Sequence, residues 1–263
     1  MLTITNIHKT FNKGTINEKK ALNGVDLHLD EGDFVTIIGG NGAGKSTTLN
    51  AVAGVFPVDS GKIEIDGVDV TNLPEYKRAA YLGRVFQDPM MGTAANMGIE
   101  ENLALALRRG ERRTLRWGIT GPERENYRHL LEQLGLGLED RLTSKVGLLS
   151  GGQRQAITLL MATLVRPELL LLDEHTAALD PKTAEKVLEI TNRIVTEQKL
   201  TTLMITHNMR DALRFGNRLV MMHNGRPIVD VSGEEKARLK PVDLLKLFEE
   251  AGDGALSDKM LLG

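Results

Sequence analysis

The chain has 263 residues, 41% hydrophobic and 26% charged, proportions usual for a globular protein of one large domain or two small ones. A formal net charge of −2 gives no electrostatic ground for wholesale nucleic-acid binding. The absence of cysteine excludes disulfides, thiol catalysis and cysteine-ligated metal, and fits a reducing cytosol.

The first residues, Met1-Leu2-Thr3-Ile4-Thr5, lack the basic start and apolar core of a signal peptide. No apolar run approaches the roughly 20 residues needed to cross a bilayer, so work at a membrane would require a partner. Leu2 to Ile7 alternates apolar and polar residues and predicts a half-buried strand, with Phe11 at its end. Asn12 to Lys20 is polar and predicts a loop. Val25 to Leu29 alternates again, and Asp30 to Asp33 turns the chain into the apolar run Phe34 to Ile38.

That run leads into Gly39-Gly40-Asn41-Gly42-Ala43-Gly44-Lys45-Ser46-Thr47, which matches the phosphate-loop pattern G-x-x-x-x-G-K-[ST]. A helix is expected from Thr47 to Val55, so the motif has its strand–loop–helix context. Glycines let the backbone curl until its N–H groups face phosphate oxygens, and a helix N-terminus adds partial positive charge. Lys45 is expected to reach the β- and γ-phosphates and Ser46 to hold Mg²⁺.

Gly61 to Val70 predicts a strand and turn. Val85-Phe86-Gln87-Asp88-Pro89 ends regular structure at its proline, and Ile99 to about Leu134 turns helical. Within that stretch, residues 108–118 carry five arginines, one glutamate and Trp117. A solvated charged loop, a contact with lipid headgroups or an acidic membrane partner, and a nucleic-acid contact are all open readings. Leu148-Leu149-Ser150-Gly151-Gly152-Gln153 then opens a helix to Leu164, with Ser150 a good N-cap. Leu169 to Leu172 is a fully apolar strand of the kind found inside parallel sheets, ending in Asp173 and Glu174. Pro181 to Gln198 is an amphipathic helix with proline in its first turn. Thr201 to Thr206 is a strand ending at His207. Leu219 to His223 and Pro227 to Val231 form a hairpin on Asn224-Gly225. Val242, Leu244, Leu245 and Phe248 are expected on one side of a short last helix, with a frayed tail from Gly252.

These motifs, in this order, resemble the ATP-binding subunit of an ABC transporter over roughly residues 1 to 235. The resemblance implies an α/β fold: a P-loop NTPase core with an antiparallel β subdomain and an inserted α-helical subdomain at about 90–165, followed by a C-terminal helix and tail at 236–263. It implies ATP and Mg²⁺ as cofactors. By position, Asp173 would join Ser46 at Mg²⁺ and Glu174 would polarise the attacking water. Gln87 would be the Gln-loop residue touching Mg²⁺ and sensing the membrane partner, and His207 the switch histidine at the γ-phosphate. Phe11 falls where an aromatic stacks on adenine, although a core role is equally open to it.

Ser150, Gly151, Gly152 and Gln153 match the signature that closes over ATP on a second copy of the chain, and Asp180 the loop that couples two such sites. Expected partners are therefore a second copy, an integral-membrane permease docked on the helical segment, and indirectly an extracytoplasmic solute-binding protein. Nucleic acid is not among them. The expected place is the cytoplasmic face of the cell membrane. Two departures stand out. The family usually reads Asp-Glu-Pro-Thr where this chain has Asp173-Glu174-His175-Thr176. Leu160 to Leu164 lacks the alanine–arginine pair of many relatives. Both features resemble bacterial importers of small solutes such as amino acids, including aromatic ones. A soluble ATPase of the same superfamily working on nucleic acid or the ribosome, and an exporter motor, are the alternatives.

Overall fold

The computed structural model describes residues 1–110 and 118–251. Leu2–Phe11 (β1) and Lys19–Leu29 (β2) form a hairpin, and Phe34–Gly39 (β3) runs into Lys45–Ala53 (α1). Ser60–Ile65 (β4) and Val68–Asp69 (β5) follow, then Glu75–Arg78 (α2) and Leu82–Val85 (β6). The helical arm comprises Ile99–Leu107 (α3), Gly121–Leu134 (α4) and Gly151–Thr163 (α5), with a 3-10 turn at Val146–Leu148. The chain closes through Leu169–Asp173 (β7), Pro181–Gln198 (α6), Thr202–Ile205 (β8), Met209–Arg214 (α7), Arg218–His223 (β9), Arg226–Ser232 (β10), Gly233–Arg238 (α8) and Pro241–Ala251 (α9).

Two sheets result. The four-stranded sheet, order β2-β1-β4-β5, is antiparallel throughout. The six-stranded sheet has order β10-β9-β3-β8-β7-β6, all parallel except the β9–β10 hairpin. The expected α/β architecture with an antiparallel subdomain and a helical insertion is what the chain adopts. β3 and β8 are buried at every position and β7 at all but Asp173, which is why they read as continuous apolar runs. The carboxyl ends of β3, β7 and β8 deliver Gly39, Asp173 and Thr206 to one edge of this sheet.

Several boundaries differ from expectation. β2 begins at Lys19, so Lys19 and Lys20 are strand residues rather than loop. α1 starts at Lys45, two residues earlier than its apolar pattern suggests, because its first turn is built by the phosphate-loop residues. Val242 is 60% exposed, whereas Leu244 and Phe248 are buried beside Ile38, Met221 and Val231, so Val242 does not share the packed face of α9.

The far end of α1 is held by a buried arginine. Arg78 is 2% exposed and donates from Nη1 to the carbonyls of Ala51 and Val52, at 2.7 and 2.9 Å. Its Nε and Nη2 reach Leu73 O and Thr71 O, at 2.8 and 2.9 Å. A cation there satisfies the last carbonyls of the helix and complements its dipole. Arg78→Met keeps most of the stem and removes every donor. It should lower the unfolding free energy by about 3 kcal/mol, seen as a lower urea midpoint at unchanged slope. A midpoint equal to the parent's would contradict this role.

Of the arginine-rich stretch, Arg108 pairs with Glu123 at 2.9 Å, and Arg109 donates to Leu82 O and Val165 O at 3.0 Å each. Arg108 thus ties α3 to α4 within the helical arm, and Arg109 ties the arm to β6 of the sheet. Arg112, Arg113, Arg116 and Trp117 lie outside the described residues, as does the tail from Gly252.

Candidate nucleotide site

Between β3 and α1 the backbone makes a tight arch that only glycine permits. At Gly39, φ is +150° and an added Cβ would lie 2.2 Å from Met222 O. At Gly44, φ is +101° and a Cβ would meet Ala21 O at 2.8 Å. Gly44 is also the N-cap of α1 and has no side chain to offer, so the first-turn N–H groups are left facing the cleft. The hairpin turn Asn224-Gly225 braces the arch from behind, with Gly225 N–H donating to Ala43 O at 2.9 Å.

A cleft of about 240 Å³ opens over this arch, lined by Asn41 to Thr47, Lys19, Ala21, Glu174 and His207. It falls below the roughly 300–1,000 Å³ of sites that enclose a drug-sized molecule. Its shape suits a phosphate chain, with the rest of a ligand lying across the surface outside. Lys45 is buried, and its Nζ donates to Gly39 O at 2.8 Å and Gly40 O at 3.2 Å. Burial pushes this amine below the ordinary lysine value, while Glu174 and Asp173 oppose that shift.

Ser46 Oγ donates to Asp173 Oδ1 at 3.3 Å. Burial and the adjacent Glu174 carboxylate push Asp173 above the usual carboxylate range, while Arg84, the Ser46 hydroxyl and Lys45 pull it back. A hydroxyl and a carboxylate at this spacing form a hard-oxygen donor pair of the kind that suits Mg²⁺ beside phosphates.

Glu174 sits one residue past β7 with φ +46°, a left-handed conformation that costs a non-glycine residue energy and recurs at functional sites. Its N–H is held by Ile205 O at 3.1 Å. Its Oε1 lies 2.5 Å from His207 Nε2, and both side chains face the cleft. A carboxylate and an imidazole are therefore joined directly above the loop that would hold a phosphate chain.

Gly39 and Asp173 are not in the cleft lining themselves but bond to it through Lys45 and Ser46, and three further expected residues stand outside it. Gln87 is exposed two residues beyond β6, whose last residue Val85 pairs with Leu172, the residue before Asp173. Phe11 is half-buried, its ring edge-to-face with Phe56 at 5.2 Å and Lys9 Nζ 5.5 Å from its centroid. It is the cross-strand partner of Lys19, which does line the cleft. Asp180 caps α6 by accepting from Thr183 N–H at 3.1 Å.

The Ser150 segment also lies away from the cleft. Ser150 and Gln153 close a capping box at the start of α5, with Gln153 N–H to Ser150 Oγ at 3.3 Å and Ser150 N–H to Gln153 Oε1 at 3.2 Å. Ser150 and Gly151 are exposed, and Leu148 beside them is 74% exposed. Gly152 has a packing reason of its own: a Cβ there would lie 2.1 Å from Thr183 Cγ2 on α6.

One part of the lining was missed by sequence reasoning, and one residue that it marked as a departure is buried in the fold. Lys19 and Ala21 line the cleft, and their signal was the period-two spacing of a strand that the polar run before them disguised as loop. His175 is 2% exposed, and burial holds its ring down to about 4, so it is neutral at ordinary pH.

The family model described as ABC transporter matches residues 22–177. A Clostridioides difficile protein named tyrosine transport ATP-binding protein is 45% identical over 251 residues, 95% of this chain and 100% of that relative. The energy-coupling factor transporter ATP-binding protein of Acetivibrio thermocellus is 31% identical over 248 residues, 93% of this chain and 84% of that one. A solved dimeric post-hydrolysis state of an ATP-binding cassette, bound to ADP and Pi, matches with a TM-score of 0.75 at 30% identity, covering 88% of this chain and 98% of that chain.

Proposed function

The chain belongs to the ABC transporter family, whose ATP-binding subunits hydrolyse ATP, and on that premise we propose that it drives import of an aromatic amino acid through a membrane permease. The observation that carries the reading is the division of the site. Lys45, the Ser46–Asp173 pair and the Glu174–His207 pair gather around one cleft, while Ser150 and Gly151, at the start of the signature segment, face outward elsewhere on the same chain. A second copy placed head to tail brings its Ser150 segment onto the ATP held by the first. Leu179 lies beside Gly151, and Thr183, whose N–H donates to Asp180, lies beside Gly152, so the coupling loop travels with the signature segment. ATP contacted differently in the closed and open dimers shifts the equilibrium between them.

Within each site the glycine arch and Lys45 bind and orient the phosphates. Phe11 lies on the side from which the base would approach, next to Lys19. Ser46 and Asp173 would hold Mg²⁺, which when bound offsets phosphate charge. Glu174 Oε1 takes a proton from the attacking water, and His207 holds that carboxylate and faces the γ-phosphate. Gln87, at the exposed junction of sheet and helical arm, reports permease contact, with the arm from residue 99 to about 140 as the docking surface. No helix among the described residues is long and apolar enough to cross a membrane, so the proposed place at the cytoplasmic face depends on the permease.

The solute is read from the relative named for tyrosine transport and from the importer-like sequence departures. Uptake of labelled tyrosine in cells carrying the chain should fall to background when Glu174→Gln replaces the parent. Undiminished uptake of tyrosine, with another solute lost instead, would overturn the solute assignment.

A further inference from the structure

His175 stands where the family usually has proline. A histidine does not fix φ as proline does, yet it follows a residue held at φ +46°. The loop from Glu174 to Asp180 therefore needs another restraint, and the structure contains one. His175 Nε2 lies 3.1 Å from Thr191 Oγ1, and both side chains are buried, at 2% and 1% exposure. Thr191 Oγ1 also lies 2.8 Å from Val187 O, one turn back on α6. The hydroxyl has one proton, and a carbonyl can only accept it. Thr191 therefore donates to Val187 O and accepts from His175 Nε2–H. The two protons of this relay, on His175 Nε2 and on Thr191 Oγ1, are thereby both assigned.

The acceptor belongs to the buried face of an 18-residue helix capped by Asp180 at its start. The histidine thus hangs the loop from the rigid middle of α6, eleven residues beyond the loop's end. The adjacent Glu174 is fixed from three sides: its N–H to Ile205 O, its carbonyl to Ala177 N–H, and its successor to Thr191.

We infer that the His175–Thr191 hydrogen bond is a positioning device for Glu174, replacing by side-chain chemistry the restraint that proline supplies in relatives. The inference rests on the reading of Glu174 as the residue that activates water. Thr191→Val removes the acceptor at constant volume and leaves the buried Nε2–H unpaired. It should lower kcat for ATP hydrolysis by about 10- to 100-fold, the range for small displacements of a catalytic group. ATP affinity should stay unchanged, because the phosphate arch is not touched. Thr191→Ser, which keeps the hydroxyl, should restore the rate.

His175→Leu provides a second variant that leaves Thr191 satisfied by Val187 and keeps the site packed. It should show the same loss of kcat, and the double variant should be no slower than either single one. Parent-like kcat in folded Thr191→Val or His175→Leu would overturn the inference, as would a fall in ATP affinity matching the fall in rate. Glu174→Gln measured beside them separates the two failures. If Glu174→Gln turns over normally, the reading of Glu174 has failed. If it is inactive while Thr191→Val and His175→Leu are fully active, only the positioning role has failed.

Discussion

Glu174→Gln should bind ATP with parent affinity and hydrolyse it about 10²- to 10⁴-fold more slowly, the usual contribution of a positioned general base. The substitution is nearly isosteric. The amide can still meet His207 Nε2, now 2.5 Å from the carboxylate, and the backbone of residue 174 keeps its bonds to Ile205 and Ala177. The phosphate arch, Lys45 and Ser46 are not altered. What disappears is the basic oxygen facing the cleft. The loss should therefore fall on kcat and leave ATP binding intact. Single-turnover hydrolysis and calorimetric ATP binding measure the two halves separately. Full turnover would remove Glu174 from the mechanism.

Lys45→Met should do the opposite and abolish useful nucleotide affinity. The Lys45 ammonium is buried beneath the arch and bonded to Gly39 O and Gly40 O. It is the cation best placed to meet a phosphate chain in the cleft, since Lys19 at the rim is exposed. Leaving buried phosphate charge without its partner costs a few kcal/mol, so the Kd for both ATP and ADP should rise at least about 30-fold. Methionine preserves the volume, so the unfolding midpoint should move little. Calorimetry with each nucleotide checks this, and a Kd within a few-fold of the parent's would show that the arch binds phosphate by its backbone alone.

How far the sequence disclosed this site depended on the kind of constraint involved. The phosphate loop was fully legible because each glycine answers a local demand, such as the φ of +101° at Gly44. The apolar strands β3, β7 and β8 were legible because burial on both faces leaves little polar in them before their carboxyl ends besides Thr36 and Thr202. Long α6 was read to its correct ends because Asp180 and Pro181 mark its start. α2, α7 and α8 went unread because helices of four to six residues carry too little periodicity to register. Arg78, the Gly225 brace and the His175–Thr191 bond were invisible for a different reason. Each joins residues 16 to 182 positions apart, and nothing in local pattern announces such contacts. His175 was noticed as a departure, but its partner was supplied only by the fold. Val242 was misplaced because a helix of eleven residues has room for two apolar stripes, and packing chose Leu244 and Phe248.

The central claim is that each chain holds half of two sites and that ATP joins the halves. Sedimentation velocity of Glu174→Gln in ATP and Mg²⁺ tests it most directly, because slowed hydrolysis traps the joined state. The account predicts a species of twice the monomer mass in ATP, a monomer in ADP, and a monomer in ATP when Gly151→Asp is added to place a charge on the exposed signature segment. A Glu174→Gln chain that binds ATP and stays monomeric would contradict it.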